Sequence, residues 1–359
     1  MIRTQKLAVS AALAVASIAA LAGCSSTASA ASPSGSAAVE PLVLYSAIGY
    51  DAAIAKAFTA ASGIPVKVVD DSTGPLLTKI AAEKNNPQWG AFMADGATAF
   101  AALDQGGQLL PYTTTASVDS VGTSLTPSDH SYIPMGTTVV AALIYNAAAT
   151  TAVPTSYNDL LTPAYKGKVG MNDPAQSGPT YPFIAGLMNQ LGGTKGGVAA
   201  GEAYLTKLKA NGLVVNPTNG DTLHALETGQ INYGLIQSSA AMGEVVKFTA
   251  KPVAGYDPKV IYLSKSTLLP SAYGIDKAAS PVQQSEAKKF IDYILSPAGQ
   301  KVAQGADPAG DSLYWPVVNG VTPLAPLPAT VPSSSQAIDP TFWGPLQGQV
   351  VTWFDSNIK

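Results

Sequence analysis

Four short loops rich in Ser, Thr and Gly lead directly into segments with helical spacing. They are Ser46-Ala47-Ile48-Gly49, Ser72-Thr73-Gly74-Pro75, Ser177-Gly178-Pro179-Thr180 and Ser238-Ser239-Ala240-Ala241. The first backbone N–H groups of a helix have no partner within the helix and the macrodipole is positive there, so such loops can bind an anion. The candidate ligand-binding residues in these loops are Ser46, Gly49, Ser72, Thr73, Gly74, Ser177, Gly178, Thr180, Ser238 and Ser239.

Each loop also has a purely local interpretation. A Ser at the N-cap stabilises its helix by about 1 kcal/mol without any ligand. Four loops at corresponding places in an alternating chain favour binding over capping alone, because small side chains let a phosphate-like group approach the backbone. The sequence therefore predicts a site for a small anionic solute.

An acid beside these loops could bind an amine on the same solute. Asp95 follows the strand predicted at 91–94 and is the acid best placed for this role, although Asp-Gly is also a turn signal. Asp70 and Asp71 lie beside the second loop and could act in the same way. Tyr273 is a candidate aromatic cover for the ligand or, alternatively, a core residue.

Catalytic chemistry has few candidates in this chain. His130 and His224 are its two histidines, and neither lies near a Gly-x-Ser-x-Gly elbow or a His-Glu-x-x-His helix. We therefore predict no catalytic residue, no metal ligand and no cofactor. A secreted hydrolase that uses carboxylates alone is the least favoured alternative.

The N-terminus has the three parts of an export signal. Two basic residues near the start precede an apolar stretch from 7 to 22, and the sequence Leu-Ala-Gly then ends at Cys24, the single cysteine of the chain. This pattern resembles the bacterial lipobox, whose cysteine is lipidated. We predict a signal peptide at 1–24, a flexible tether at 25–40 and a lipid anchor as the only membrane attachment. An ordinary secretory signal with a chance cysteine is the alternative.

The remaining chain alternates between short apolar strands and helical segments. This rhythm predicts mostly parallel sheets with helices on both faces, and in such folds ligands bind where strand ends and helix starts meet. The predicted strands are Pro41–Tyr45, Val66–Val69, Ala91–Ala94, Gly167–Met171, Leu213–Val215 and Tyr233–Ile236. The predicted helices are Tyr50–Ala61, Gly74–Lys84, Thr98–Gln105, Pro179–Leu191, Val198–Ala210, Asp221–Thr228 and Ser285–Leu295.

Two longer β-rich stretches predict a hinge. They are Thr137–Asn146 and Ser266–Ile275, and they separate two sets of alternating elements. The fold class is therefore α/β, with two doubly wound lobes, each on its own sheet, joined by β-strands. We place lobe 1 at 41–140 and 272–359 and lobe 2 at 141–271, with the proline-rich stretch 323–332 as extended surface chain. A net charge of −3 and the lack of a basic stripe argue against nucleic acid as a partner.

Several short motifs, in order along nearly all of the mature chain, resemble the solute-binding proteins of bacterial ABC importers. They are Leu42–Ser46, Tyr145-Asn146, Tyr157–Leu160, Tyr165–Lys168, Ala287–Asp292 and Leu295–Gln300. The resemblance implies a fold like that of type II periplasmic binding proteins, which closes on a solute, performs no chemistry on it and delivers it to a membrane permease. It also implies an extracytoplasmic monomer. A sensing subunit that binds the same solute is the alternative within this class.

The most similar branch contains receptors for ferric iron, thiamine and 2-aminoethylphosphonate. Its ferric members supply a pair of adjacent tyrosines, which a hard trivalent cation prefers. At the matching positions this chain has Gln237, Ser238 and Ser239. We therefore expect 2-aminoethylphosphonate, or a related phosphonate or phosphate ester, with ferric iron or an iron complex as the alternative ligand.

Overall fold

The computed structural model describes residues 40–359. The predicted signal peptide, the lipidation site Cys24 and the tether up to residue 39 lie outside the described residues. None of the described helices is long and apolar enough to cross a membrane.

The described chain forms a single mixed sheet with helices packed on it. The strands are β1 Leu42–Ser46, β2 Val66–Asp70, β3 Ala91–Asp95, β4 Tyr132–Asn146, β5 Val169–Asn172, β6 Val214–Asn216, β7 Tyr233–Ile236, β8 Pro258–Ile275 and β9 Trp315–Pro316. The helices are α1 Asp51–Ser62, α2 Thr73–Ala82, α3 Ala97–Gln105, α4 Ser120–Leu125, α5 Thr180–Ala210, α6 Asn219–Glu227, α7 Ser238–Ala250, α8 Pro281–Ile294, α9 Pro297–Gly305, α10 Pro340–Trp343 and α11 Gln347–Asn357.

The strand order β2-β1-β3-β8-β4-β7-β5-β6 divides the sheet into two halves. In one half, β1 pairs in parallel with β2 and β3. In the other half, β5 pairs in parallel with β6 and β7. We call the first half, with α1–α3, α8 and α9, lobe 1, and the second half, with α5–α7, lobe 2. The predicted α/β class is confirmed.

Strand β1 shows why helices cover both faces of the sheet. Successive side chains of a strand point to opposite faces. Leu42 and Leu44 accordingly pack in one core with Phe58 of α1, whereas Tyr45 packs in another core with Leu76 of α2. The two cores give lobe 1 the doubly wound arrangement that the alternating pattern predicts.

The two predicted hinge stretches lie within β4 and β8, which are longer than expected and pair antiparallel with each other. Their pairing makes the sheet continuous through both lobes, so the expectation of two separate sheets is wrong. The pairing is interrupted between Val140 and Ala142, where the register shifts. A second register shift in the same pair of strands lies between Pro134 and Gly136.

One predicted boundary within lobe 2 differs in detail. The helices expected at 179–191 and 198–210 form one element, α5, with non-helical backbone at Gly193, where φ is 61° and ψ is −157°. A positive φ carries little cost for glycine, which has no Cβ. The kink therefore separates the two helical segments that the sequence predicts.

The C-terminal segment departs from the predicted lobe assignment. Helices α8 and α9 return to lobe 1 as expected, and Phe290 packs in the same core as Phe58. Helix α11 instead packs on α5 of lobe 2, where Phe354 and Trp343 of α10 share a core with Tyr181. Helix α10 also packs on α3 of lobe 1. The Tyr181 hydroxyl donates to the Trp343 carbonyl. The range 272–359 therefore does not belong to lobe 1 as a whole, because the apolar face of α11 is buried against α5.

This packing predicts the effect of removing Trp343. The side chain is fully buried, so Trp343→Ala should lower the free energy of unfolding by about 3–5 kcal/mol, measured by urea denaturation. Trp353→Ala, at a half-buried position of α11, is the matched control and should cost much less. Equal costs for the two variants would contradict the docking of this segment on lobe 2.

Candidate functional site

A polar pocket of about 220 Å³ lies between the two lobes, where strand ends meet helix starts. Lobe 1 contributes the residue after β1, the start of α2, the end of β3 and the loop after α9. Lobe 2 contributes the loop before α5, the start of α6 and the end of β7. The lining residues are Ala47, Ser72, Thr73, Asp95, Gln176, Ser177, Gly178, Pro179, Thr218, Asn219, Gly220, Gln237 and Asp311.

Asp95 ends β3 and is only 8% exposed. Its Oδ1 accepts a hydrogen bond from Ser271 Oγ at 2.6 Å, and its Oδ2 accepts one from Gln237 Nε2 at 2.8 Å. Burial raises the pKa of Asp95 to about 6, against the two hydrogen bonds, which favour the ionised form. Since Gln237 belongs to lobe 2, this carboxylate also joins the lobes.

Asp311 lies in the loop that follows α9 and is partly buried. Its Oδ1 accepts a hydrogen bond from Ser239 Oγ of α7, which is a second contact between the lobes. Burial, followed by the negative charge of Asp95, raises the pKa of Asp311 to about 7. The pocket thus contains two carboxylates that resist ionisation.

The two acids have no basic partner in the pocket, because no Lys, Arg or His is among the described residues that line it. His224 lies on α6 with 74% of its side chain exposed. An unpaired buried carboxylate is costly, so ionisation of both acids calls for a cation or a donor from outside the protein.

Three helices begin at the pocket. Ser72 is the N-cap of α2, and its side chain makes no capping hydrogen bond. Pro179 precedes the first residue of α5. Thr218 caps α6 by accepting from Asp221 N. The starts of α2 and α6 line the pocket through Thr73, Asn219 and Gly220, so their first-turn N–H groups can serve an anion from both lobes. The start of α5 contributes less, because Thr180 N already donates to Ser177 O and Pro182 has no N–H.

Five of the predicted site residues line this pocket. They are Ser72, Thr73, Asp95, Ser177 and Gly178. Gly49 lies in an adjoining outer cleft, which shares Ala47, Ser72 and Asp311 with the pocket and also contains Asp70 and Asp71.

Three predicted serines have structural partners instead. Ser46 Oγ accepts from Ile48 N at 3.2 Å, and Ser238 Oγ accepts from Val139 N at 3.0 Å in the crossover. Ser239 contacts the pocket only through Asp311.

Two further predicted residues, Gly74 and Thr180, do not line the pocket. Gly74 and Gly178 are at contacts between the lobes, because a β-carbon on them would overlap Ala175 O and Thr73 Oγ1 respectively. Thr180 is buried at the start of α5.

Tyr273 is not brought to the pocket. It is fully buried in the lobe 1 core, and its hydroxyl donates to Ala287 O at 2.9 Å. The prediction that it covers the ligand is therefore wrong, and its alternative interpretation as a core residue describes its position.

Sequence reasoning missed two important residues. Asp311 lies in the sequence Ala-Gly-Asp-Ser after the end of a helix. The predicted anion-binding loops all come before a helix, so this loop did not match their pattern. Gln237 is a neutral side chain at the end of β7, and the strand end was the signal that could have identified it. Both are brought to Asp95 by the tertiary fold alone.

Two α/β lobes with a polar pocket at their strand ends define a protein that encloses a small solute. The lining described above contains carboxylate acceptors and helix N-termini, which are groups that can hold an amine and an anion. The family comparison agrees with this description.

The chain belongs to the family of bacterial extracellular solute-binding proteins, whose model matches residues 53–332. The predicted resemblance is confirmed. A protein of Salmonella typhimurium named as a candidate 2-aminoethylphosphonate-binding periplasmic protein is 27% identical over 274 residues, which cover 74% of each chain.

Solved structures confirm the two-lobed fold. Iron-bound HitA from Pseudomonas aeruginosa is 22% identical with a TM-score of 0.72, and the match covers 88% of this chain and 98% of HitA. AfuA from Actinobacillus pleuropneumoniae, with exogenous fructose-6-phosphate bound, is 19% identical with a TM-score of 0.70, covering 89% and 98%. At these identities the likeness concerns the fold alone.

The raised pKa values predict how stability depends on pH. The native state keeps protons on Asp95 and Asp311 that the unfolded chain, with ordinary pKa values, releases. Their contribution to the free energy of unfolding is therefore fully present below about pH 4 and is lost as the pH rises through about 6 and 7. From pH 5 to 8 the ligand-free protein should lose about 2–4 kcal/mol from these groups.

Urea denaturation between pH 5 and 8 measures this loss. Asp311→Asn should flatten the profile, whereas Asp70→Asn, at an exposed acid of the outer cleft, is the control and should leave it unchanged. A profile for Asp311→Asn as steep as that of the unmodified protein would contradict the assignment.

Proposed function

We propose that this protein is an extracytoplasmic receptor that encloses a small zwitterionic solute between its lobes and delivers it to an ABC permease. The favoured ligand is 2-aminoethylphosphonate or a related phosphonate or phosphate ester that carries an amine. The observation that supports this most is a pocket with helix N-termini from both lobes and two acids, but with no basic residue in its described lining.

The helix N-termini favour an anionic head group. Helix α2 belongs to lobe 1 and α6 belongs to lobe 2, so a phosphonate between their N-termini receives N–H donors from both lobes. Such contacts exist only when the lobes are together. A ligand that makes them stabilises the closed state over the open one, which is the condition for ligand-driven closure.

The two acids favour a cationic group on the same ligand. Once Asp95 and Asp311 ionise near pH 6 and 7, a purely anionic ligand would be repelled by negative charge in a poorly solvated pocket. An ammonium group instead neutralises this charge and provides donors to the carboxylate oxygens. The name of the Salmonella relative indicates the same combination of phosphonate and amine for that protein.

Ferric iron is the alternative ligand of the same receptor class. Two residues at the positions matching the tyrosine pair already have partners within the protein. The hydroxyl of Ser238 accepts a hydrogen bond from Val139 N, and Gln237 Nε2 donates one to Asp95. Neither side chain is a preferred ligand of a hard trivalent cation. We therefore place the aminated phosphonate first.

The remaining parts of this proposal concern location and assembly. Lipidation at Cys24 would hold the receptor at the outer face of the membrane, and a monomer suits delivery to a permease. A sensing subunit with the same pocket is the alternative to transport.

A panel of three small ligands tests the proposal. 2-Aminoethylphosphonate at about a hundredfold excess over its dissociation constant should add about 2.7 kcal/mol to the free energy of unfolding, seen as a rise in Tm. Ethylphosphonate lacks the amine and ethanolamine lacks the anion, so each should bind at least tenfold more weakly at pH 8. Equal binding of ethylphosphonate would remove the amine from the proposal, and stabilisation by ferric citrate alone would favour the iron alternative.

The close contact at Gly178 predicts a closure mutant. Gly178→Ala adds a methyl group against Thr73 of the opposite lobe, so the lobes should stay apart and affinity should fall about tenfold in calorimetry. The added methyl group lies outside the cores of both lobes, so the variant should still fold. Gly196→Ala is the matched control, since its added β-carbon meets nothing within 4 Å. Unchanged affinity in Gly178→Ala would show that binding does not need this contact.

A further inference from the structure

We propose that Asp311 is the residue that selects an aminated solute, and that Asp95 is a positioning residue that holds the lobes together. This division rests on the function proposed above, and it departs from the sequence-based assignment of the amine to Asp95. The two carboxylates differ in their hydrogen-bond partners.

Each oxygen of Asp95 already accepts one hydrogen bond from the protein. Ser271, on the neighbouring strand β8, donates to Oδ1, and Gln237 donates to Oδ2. Gln237 Nε2 also lies 3.3 Å from Thr138 Oγ1 in β4. Since a carboxylate accepts from the amide nitrogen and not from the amide oxygen, this arrangement fixes the orientation of Gln237. Asp95 is thus part of a contact that joins lobe 1, the crossover and lobe 2.

Asp311 has a free oxygen. Its Oδ1 accepts from Ser239, and among the described residues none donates a hydrogen bond to Oδ2. The residue lines both the pocket and the adjoining outer cleft. A ligand that enters through the cleft therefore meets this carboxylate before it reaches the more buried Asp95.

The loop around Asp311 is fixed without a ligand. Ser312 Oγ donates to Gln304 O at 2.9 Å and accepts from Asp307 N at 3.0 Å. The backbone of Gly310 packs so closely on α7 that a β-carbon on Gly243 would overlap Gly310 O. A carboxylate held this way loses little conformational entropy on binding, which favours its use in recognition.

The surroundings of Asp311 attract a cation. The acidic groups that face it or share its two cavities are Asp95, Asp307, Asp51, Asp70 and Asp71. The hydroxyl of Tyr50, buried beside the site, makes no hydrogen bond within the described structure. A primary ammonium group at Oδ2 therefore lies among acidic side chains, with no basic side chain in the described lining of either cavity.

Calorimetry on isosteric variants separates the two roles. The quantity measured is the ratio of the affinities for 2-aminoethylphosphonate and ethylphosphonate at pH 8, which does not depend on the fraction of protein that is folded. Asp311→Asn should lower this ratio at least tenfold, mainly through loss of affinity for 2-aminoethylphosphonate. Asp95→Asn should weaken both ligands by similar factors and leave the ratio within about threefold of its original value.

A second readout follows the role of Asp95 in closure. The quantity measured is the decrease in radius of gyration by small-angle X-ray scattering when each variant is saturated with 2-aminoethylphosphonate. This decrease should be smaller for Asp95→Asn than for Asp311→Asn. A ratio unchanged in Asp311→Asn, or one that collapses in Asp95→Asn, overturns the division of roles. An affinity ratio near one in the unmodified protein would overturn the proposed function itself. That result differs from the two above, which overturn only the division of roles between Asp311 and Asp95.

Discussion

The burial of two carboxylates between the lobes, with no basic side chain in the described lining, is the constraint on which the rest of this structure depends. Asp95 and Asp311 both belong to lobe 1, and both accept hydrogen bonds from lobe 2, through Gln237 and Ser239. Hydrogen bonds offset part of the desolvation cost of a carboxylate but supply no opposite charge. The negative charge of the two carboxylates therefore stays unbalanced in the closed arrangement until a proton or a cation binds.

The sheet explains how this arrangement is held. Strands β4 and β8 run through both lobes and pair with each other, so the two halves share one hydrogen-bonded framework. Asp95 ends β3, which pairs with β8, and Gln237 follows β7, which pairs with β4. The hydrogen bond between Gln237 and Asp95 therefore depends on how this framework places the two strand ends. Closure and recognition are thus coupled through the same few groups.

The sequence predicts the fold far better than the site. Alternating strands and helices identify both lobes because burial on two faces leaves a clear pattern, as in β1. The Ser/Gly loops identify Ser72, Thr73, Ser177 and Gly178, since strand ends in such folds face a common crevice. Asp311 and Gln237 leave no comparable signal, because their roles arise only when distant segments meet. Helix α11 was missed for a related reason, since its partner α5 is far away in sequence.

A crystal structure of the protein with bound 2-aminoethylphosphonate tests most directly whether the ligand supplies the missing charge. The account predicts the ammonium nitrogen within hydrogen-bond distance, about 2.7–3.2 Å, of an Asp311 oxygen. It also predicts phosphonate oxygens on backbone N–H groups at the starts of α2 and of α5 or α6. A phosphonate placed against the two carboxylates, or a ligand in the separate cavity of about 270 Å³ beside α3, would contradict it.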